Sequence, residues 1–250
     1  MLGFNRPPPK TRLGRCLRRS ERTLAVLLVL YASLHVFPQV LFAHSVTVDG
    51  ITIYSRTPLP AEAGACAARA AGLVRQSELA VRGRREKIFV CNSKWMFRLF
   101  DPAADGFAFS VPITNHVFIA SADFASDVSQ RYAPDYNKRT LSSVIAHEIT
   151  HGLIRNRLGW LRGVRLAEWV NEGYCDFVAQ EGSFPEAEGL RLVEAGQEHP
   201  SPSFQYFKFR QMVRHLVETK HLSFSQIVDR SSEFAVVEEE VRTAFQKELR

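Results

Sequence analysis

The stretch that decides the fold is TLSSVIAHEITHGLIRNRL, residues 140–158, with Gly159 directly after it. Its apolar residues recur at helical spacing on two sides, with Ile145, Ile149 and Leu153 on one side and Val144, Ile154 and Leu158 on the other. A helix that is apolar on two sides is usually buried between the layers of a domain. A glycine directly after such a pattern commonly ends a helix. We therefore predict a buried helix over residues 141–158.

Two histidines on this predicted helix have the spacing of a metal site. Residues 147–151 read His-Glu-Ile-Thr-His, so His147 and His151 lie on the same face and both imidazoles can reach one ion. Glu148 lies about 100° further around the helix and overhangs the same position, as a general base for a hydrolytic water does. The alternative for these three residues is a helix face whose polar groups are satisfied by hydrogen bonds.

A second predicted helix, over residues 166–180, supplies a candidate third ligand. Zinc used in catalysis typically has three protein ligands and one position left for water. The chain covers about 10 Å from His151 to the end of the first helix and about 9 Å from the start of the second helix to Glu172. A short turn therefore brings Glu172 back level with His151. Asp176 is one turn further on, where it can accept a hydrogen bond from a ligand histidine.

At these two helices the chain resembles a known group of enzymes. The residues H-E-I-T-H at 147–151 and W-V-N-E-G-Y-C-D at 169–176 are similar to the gluzincin metallopeptidases, the thermolysin-like clan, and among them to small bacterial peptidase-MA-like domains. The resemblance implies an α+β, zincin-like fold and a peptide or protein substrate. It also implies a set of site residues: Zn²⁺ ligands His147, His151 and Glu172, the general base Glu148, and Asp176 as support for a ligand histidine.

The chain departs from this clan in one segment and leaves one role open. The G-x-M-E-N segment that binds a substrate's amino terminus in the aminopeptidase branch is missing, since the corresponding residues 107–111 read Phe-Ala-Phe-Ser-Val. That difference argues against an aminopeptidase. The clan also uses a downstream Tyr or His to stabilise an oxyanion. Tyr206 is the residue matched to this role, with His215 and His221 as alternatives.

The remaining patterns after residue 45 predict a small mixed β-sheet with helices, followed by an all-helical C-terminal half. Residues 45–55 alternate between apolar and polar around Asp49-Gly50, which is a strong hairpin signal. An alanine-rich helix is expected at 61–81 and a short one at 95–100, strands at 87–91, 107–111 and 116–120, mostly loop at 121–138, and further helices at 187–196, 203–219 and 232–248. We assign one zincin-like metallopeptidase domain to residues 46–250.

The first 45 residues predict a membrane anchor or a signal peptide. Residues 1–22 carry seven basic side chains and one acidic one, and 7 − 1 = +6 equals the formal net charge of the whole chain. The uncharged run at 24–43, LAVLLVLYASLHVFPQVLFA, is about as long as a membrane-spanning helix. The positive-inside rule then predicts a cytoplasmic leader at 1–22, a single-pass anchor in the inner membrane at 23–45, and a periplasmic domain. Cleavage near residue 45, with secretion of the domain, is the alternative.

The same charge distribution argues against nucleic acid as a partner. Because the leader accounts for the whole excess, residues 23–250 are formally neutral, and their composition indicates no basic face for phosphates. In an oxidising compartment, Cys66 and Cys91 are candidates for a disulfide bridge, and the alternative is two buried free thiols.

The sequence therefore predicts zinc-dependent hydrolysis of peptide bonds. The first rival is a zinc protein with a structural or regulatory role and little turnover. Structural zinc sites usually have four protein ligands, and the sequence contains no convincing fourth ligand. The second rival is a scaffold that retains the peptidase fold without its activity.

Overall fold

The computed structural model describes residues 11–248. The chain divides into two compact units, one that ends at Leu41 and one that begins at Phe42. The first unit contains helix α1 (Arg12–Val36) and a 3₁₀ turn (Pro38–Leu41). Residues 1–10 of the predicted basic leader lie outside the described residues.

The membrane prediction for residues 24–43 is wrong. Between residues 11 and 248, no helix is both long enough and apolar enough to cross a membrane. Helix α1 begins among the arginines of the basic segment and ends at Val36, because Pro38 starts a separate turn. The uncharged part of α1 runs only from Leu24 to Val36, about 20 Å, whereas a bilayer core is about 30 Å thick. The predicted single-pass anchor and the inner-membrane location with a periplasmic domain are corrected accordingly.

The second unit is α+β, as predicted, and it is built on a mixed five-stranded sheet. Its strands are β1 (His44–Val48), β2 (Ile51–Ser55), β3 (Glu86–Val90), β4 (Ala108–Ser110) and β5 (Val117–Ile119), in the order β1-β2-β3-β5-β4. The central pairs β2–β3 and β3–β5 are parallel, while β1 and β4 are antiparallel edge strands. The predicted hairpin turn is confirmed, since Asp49 and Gly50 have φ of 50° and 84° between the paired residues Val48 and Ile51.

Helices cover both faces of this sheet because its central strands are apolar on both sides. Ile88 and Val90 of β3 belong to the main core together with α2 (Glu62–Arg75) and the predicted motif helix, here α4 (Leu141–Leu158). Phe89, between them in sequence, faces the other side and stacks against Phe118. Helix α3 (Lys94–Phe100) closes that side, where Phe100 stacks on Phe118 at 4.1 Å between ring centroids.

The segment 121–138, predicted to be mostly loop, contains part of a second small sheet. Its strands β6 (Ala122–Asp123), β7 (Val128–Gln130) and β8 (Lys138–Thr140) pair antiparallel in the order β6-β7-β8. β8 leads directly into α4. Asp127 accepts hydrogen bonds from the backbone N–H and the hydroxyl of Ser142, at 3.0 and 2.7 Å, and so fixes the start of α4.

The C-terminal half is helical, as predicted, but contains more helices than predicted. After α4 come α5 (Trp160–Val164), α6 (Glu168–Ala179), α7 (Glu186–Glu194), α8 (Pro202–Arg214), a π-helical turn (His215–Thr219), α9 (Phe224–Asp229) and α10 (Phe234–Glu248). The short helices α5 and α9 are additions to the predicted set. Nearly every residue of α4 from Leu141 to Ile154 is buried, which agrees with a helix that is apolar on two sides.

Helices α6 and α8 approach each other closely at Gly173. A Cβ atom added to Gly173 would lie 2.5 Å from the carbonyl oxygen of Phe209 and 2.9 Å from a methyl group of Val213. A side chain at this position would therefore push the two helices apart, which explains a glycine in the middle of α6. Gly173 is directly next to the predicted ligand Glu172, so this contact also holds the candidate site in place.

The four cysteines of the chain are free. Cys66, on α2, points its thiol at Asp127, with 3.3 Å between Sγ and Oδ1. Cys91 follows β3 and is buried. The disulfide considered for these two residues is absent, and the alternative of two buried thiols holds.

Candidate metal centre

The candidate site lies between α4 and α6, which run antiparallel. His147, in the middle of α4, contacts Asp176 near the end of α6, whereas His151, one turn later on α4, contacts Asn171 nearer the start of α6. Glu172 faces both histidines. The two helices therefore bring together residues that are twenty or more positions apart in the sequence.

Three side chains converge on one point, with the two imidazole Nε2 atoms facing the two carboxylate oxygens of Glu172. Nε2 of His147 lies 3.2 Å from Nε2 of His151 and 3.3 Å from Oε2 of Glu172. Nε2 of His151 lies 3.6 Å from Oε1 of Glu172. In a tetrahedral site with bonds of about 2.0–2.1 Å, neighbouring ligand atoms are about 3.3 Å apart. The spacing of the three side chains therefore fits one small divalent ion.

The other nitrogen of each imidazole is held by a hydrogen bond. Nδ1 of His147 donates to Oδ1 of Asp176 at 2.7 Å, and Nδ1 of His151 donates to Oδ1 of Asn171 at 3.2 Å. When both Nδ1 atoms donate, both Nε2 atoms present lone pairs toward the common point. A carboxylate and two lone pairs at such short distances favour a cation between them.

A buried ion pair supports this arrangement from behind. Nη2 of Arg139 donates to Oδ1 of Asp176 at 3.0 Å, and the two side chains are only 8% and 3% exposed. Burial alone would raise the pKa of Asp176, but Arg139 and His147 outweigh it and lower the pKa below its ordinary value. Asp176 is therefore ionised, and it holds His147 in one orientation.

The electrostatics at the convergence point also favour a cation. Burial opposes a charge on His147, but the Asp176 and Glu172 carboxylates outweigh it and raise the pKa of His147 to about 10. Burial likewise opposes ionisation of Glu172, but His151 and His147 lower its pKa below the ordinary value. A metal ion that binds here has to displace the proton from His147, so its affinity depends on pH.

Cys175 offers a second candidate donor. Its thiol sulfur lies 3.3 Å from Nδ1 of His151, and the group His147, His151 and Cys175 can hold a metal ion, since its ligand atoms lie within 4.8 Å of one another. The thiol is on the Nδ1 side of His151, whereas Glu172 is near Nε2 of both histidines. Burial raises the pKa of Cys175 well above its ordinary value, so the sulfur is a protonated thiol and a weaker donor than the Glu172 carboxylate.

All six predicted site residues line one cleft of about 450 Å³: His147, Glu148, His151, Glu172, Asp176 and Tyr206. Glu148 is buried on the α4 wall next to His147. Tyr206, on α8, donates its hydroxyl to Oε1 of Glu168 at 3.2 Å. Burial, with a further contribution from Glu172, raises the pKa of Tyr206 to about 12, so the phenol keeps its proton. Its catalytic role stays a prediction, as do the roles of the other five.

The two alternatives to Tyr206 lie elsewhere. His215 lines a separate cavity between α8 and α10. His221 is exposed in the turn before α9, with a left-handed φ of 54°. Their positions leave Tyr206 as the candidate donor among these three residues.

Sequence reasoning missed several residues that build the site. Asn171 and Cys175 lie inside the quoted motif, and their spacing was a usable signal: they are four positions apart on one helix face, and Cys175 is three positions after Glu172. Arg139 and Arg131 had no such signal. They come from β8 and from the loop after β7, a region without helical or strand periodicity, and both line the cleft.

Comparison with known proteins assigns no family to this chain. No protein-family model matches it, and no curated protein or solved structure matches it either. The geometry of α4 and α6 nevertheless identifies a buried site that can bind a metal ion.

Proposed function

We propose that this chain is a zinc-dependent peptidase with His147, His151 and Glu172 as ligands. The observation that carries the proposal is the close approach of three side chains: the two Nε2 atoms are 3.2 Å apart, and they lie 3.3 and 3.6 Å from the two carboxylate oxygens of Glu172. These separations are close to those between ligand atoms of tetrahedral zinc. Two imidazole nitrogens and one carboxylate oxygen are a common donor set of catalytic zinc. Three protein ligands leave a fourth position for water or substrate.

Zinc, when bound, supplies a Lewis acid that polarises a carbonyl and makes water easier to deprotonate. Glu148 provides the general base, since it lines the cleft beside His147 and is not among the three converging donors. It takes the proton of the attacking water and passes it to the leaving amine. Tyr206 retains its proton, and once its hydroxyl turns away from Glu168 it can donate a hydrogen bond to the oxygen that gains charge in the transition state.

The shape of the cleft supports a peptide as the substrate. β4 is an edge strand, and its residues Ala108, Phe109 and Ser110 line the cleft opposite the donors on α4. An edge strand presents unpaired N–H and C=O groups along one side, and an extended peptide can add to it as a further strand. Such backbone pairing would hold a peptide bond next to Glu148, whatever side chains the peptide carries.

A zinc protein without turnover is the rival that a specific observation favours. If Cys175 bound the ion together with both histidines and Glu172, the site would be closed by four ligands, as structural zinc sites are. The sulfur lies near the site, 3.3 Å from His151 Nδ1. The position of the sulfur on the Nδ1 side of His151, away from the Nε2 atom that faces Glu172, argues against this reading.

Glu148→Gln tests the peptidase against both the closed zinc site and the scaffold. The amide has nearly the same shape as the carboxylate but cannot take a proton, so we expect zinc content to stay and peptide cleavage to fall about 10²–10⁴-fold. Glu62→Gln, the same change at an exposed position of α2, is the matched control and should cleave like wild type. The measurements are zinc analysis of purified protein and digestion of a broad peptide library. Wild-type protein that holds zinc and cleaves nothing, like its Glu148→Gln variant, would overturn the proposal.

A further inference from the structure

The charged side chains of the cleft are not evenly paired. Three arginines line it, Arg131, Arg139 and Arg155, together with the acidic residues Glu148, Glu172 and Asp176. Arg139 is paired with Asp176, and Glu172 faces the two histidines. Neither Arg131 nor Arg155 has a carboxylate within ion-pair distance among residues 11–248. The three arginines and three carboxylates balance formally, but Arg131 and Arg155 are not paired directly with any of these carboxylates.

Arg155 already has a structural role, because it hydrogen-bonds to Ser110 and Asn115. Its Nη2 donates to Ser110 Oγ at 3.1 Å and to Asn115 Oδ1 at 2.9 Å, and its Nε donates to the same Asn115 oxygen at 3.2 Å. These bonds tie α4 to the end of β4. Burial lowers the pKa of Arg155 while Glu148 opposes that shift, so the charge of Arg155 also acts on the catalytic carboxylate.

Arg131 donates fewer hydrogen bonds to the protein than Arg155 does. It follows β7, and its guanidinium lies over the ring of Phe107, 5.5 Å from the centroid. Nη2 donates to the carbonyl oxygen of Asp135 at 3.1 Å and to Ser203 Oγ at 3.4 Å. Nε is buried and has no hydrogen-bond partner in the described part of the chain. A guanidinium has five N–H donors in a planar fork, and a carboxylate can accept from two of them at once.

The direction of β4 determines which end of a bound peptide lies near Arg131. β4 begins just after Phe107, which contacts Arg131, and ends at Ser110, which contacts Arg155. β4 pairs antiparallel with β5 on its inner side, and antiparallel pairing is the more common mode for an added strand. A peptide that pairs antiparallel with the free side of β4 runs toward Phe107. Its C-terminal residues therefore arrive at Arg131.

We propose that Arg131 binds a carboxylate of the substrate on the C-terminal side of the cleaved bond, so that the preferred substrates are acidic peptides. This inference rests on the proposed peptidase function. The carboxylate has two possible sources, an Asp or Glu side chain or the free C-terminus of the peptide. Both present the same pair of oxygens to the guanidinium, and both are attracted by the positive charge of Arg131 itself.

The test uses three sets of alanine-rich nonapeptides. In the first set both ends are blocked and a single Glu is moved through every position; in the second set Gln replaces Glu. The third set carries Gln and a free C-terminal carboxylate. For wild-type protein we expect kcat/KM to rise about tenfold or more when a carboxylate lies C-terminal to the cleaved bond. A gain confined to the first set identifies a side chain, and a gain confined to the third identifies the chain terminus.

Three variants decide whether Arg131 is responsible. Arg131→Gln should lose the preference for carboxylate peptides while it still cleaves Gln peptides, and Arg131→Glu should instead prefer peptides with Lys at the same position. Arg98→Gln, the same change at an exposed arginine of α3, is the matched control and should keep the wild-type preference. Equal losses for Glu and Gln peptides in Arg131→Gln would reduce Arg131 to a structural residue and overturn the inference.

Binding to Glu148→Gln protein separates this inference from the proposed function. Calorimetry with the Glu and Gln peptides measures recognition without cleavage, and we expect about tenfold tighter binding of the Glu peptide, abolished by a second change of Arg131→Gln. Cleavage of peptides by wild type without any carboxylate preference would overturn the inference and leave the peptidase intact. Absence of cleavage, together with equal binding of Glu and Gln peptides, would overturn both.

Discussion

Glu172 and Cys175 lie about one turn apart on α6, and both face His151 from different sides. Their pKa shifts run in opposite directions: the histidines lower the pKa of Glu172, whereas burial raises the pKa of Cys175. The carboxylate is therefore available at neutral pH without loss of a proton, but the thiol is not. The two candidate ligand sets share His147 and His151 and differ only in the third ligand, Glu172 or Cys175. One substitution at each of these two positions distinguishes the two sets.

The first prediction is that Glu172→Gln lowers zinc content strongly and Cys175→Ser leaves it unchanged. Gln keeps the size of Glu172 but removes its charge, and Ser keeps the shape of Cys175 but removes the sulfur. Zinc per protein after gel filtration in the presence of a weak chelator measures the difference. The opposite result, with zinc lost only in Cys175→Ser, would replace Glu172 by Cys175 in the ligand set.

In the proposed zinc site, Asp176 acts on the metal through His147, to which it is hydrogen-bonded. The second prediction is that Asp176→Asn lowers zinc affinity about 10–100-fold, because an amide holds the Nδ1–H of His147 less firmly. The change also leaves Arg139 as a buried charge without its partner, which costs about 3–5 kcal/mol of unfolding free energy. Chelator competition measures the affinity, and urea unfolding measures the stability.

The matched control for Asp176 is Asp229→Asn, the same change at an exposed residue at the end of α9. It should change neither zinc affinity nor stability by a measurable amount, since exposed ion pairs contribute little. Wild-type zinc affinity in Asp176→Asn would mean that His147 is oriented by its packing, and not by the carboxylate behind it.

At the scale of elements, the packing of α6 on α8 holds Glu172 and Asp176 in position. The third prediction is that Gly173→Ala destabilises the protein by about 1–3 kcal/mol, because the added methyl group would meet a backbone oxygen of Phe209 that cannot move without the helix. Because α6 is then displaced relative to α4, zinc affinity should fall as well. Thermal unfolding and chelator competition measure both effects.

Gly72→Ala, also inside a helix, is the control for this prediction. The nearest atom to a Cβ at Gly72 is the flexible end of Arg75, 3.9 Å away, so alanine fits there and should stabilise α2 by about 0.5–1 kcal/mol. Two Gly→Ala changes of opposite sign would show that contact between helices, and not helix propensity, decides the outcome. Equal effects at both sites would contradict the close approach of α6 and α8.

Elements with their own periodicity could be predicted from the sequence, and those without it could not. The hairpin at 45–55 has a complete pattern around the turn glycine Gly50, and the helix at 141–158 has a complete pattern that ends before Gly159. Their limits therefore agree with β1, β2 and α4 within a residue or two. Strands β6, β7 and β8 have two or three residues each, which is too short for a period of two to appear. They exist because Asp127 and Arg139 make contacts with α4 and α6 that are distant in sequence.

The error at the N-terminus has a related cause. The uncharged composition of residues 24–43 suggested one continuous membrane-spanning helix. Instead α1 ends at Val36, and a separate turn begins at Pro38. Apart from this proline, the sequence of residues 24–43 gave no sign of where α1 ends. At the site, the spacing of His147, His151 and Glu172 on two helices was enough to bring them together. The residues that support these three side chains, above all Arg139, reach the site through contacts between residues distant in sequence. Such contacts produce no local sequence pattern from which they could be predicted.

At the scale of the whole molecule, the candidate site is continuous with the main core. Ile149 and Cys175, which flank the site on α4 and α6, belong to the same buried cluster as Ile53 of the sheet and Val241 of α10. Nothing separates the site from the rest of the second unit, so an ion bound there stabilises the folded state of that unit as a whole. We therefore expect one cooperative unfolding transition of this unit, whose midpoint depends on zinc.

The size of this effect follows from mass action. Free zinc at about a thousand times its dissociation constant adds about 4 kcal/mol to the unfolding free energy. For a unit of this length, 1 kcal/mol shifts the melting temperature by about 2–4 °C, so zinc should raise it by about 8–16 °C over the chelated protein. Calorimetry with chelator and with buffered zinc measures the shift, which Cys175→Ser should retain. In His147→Ala the ion loses a ligand, so zinc should leave the melting temperature unchanged; an equal rise in that variant would show that the stabilising zinc binds at some other place in the chain.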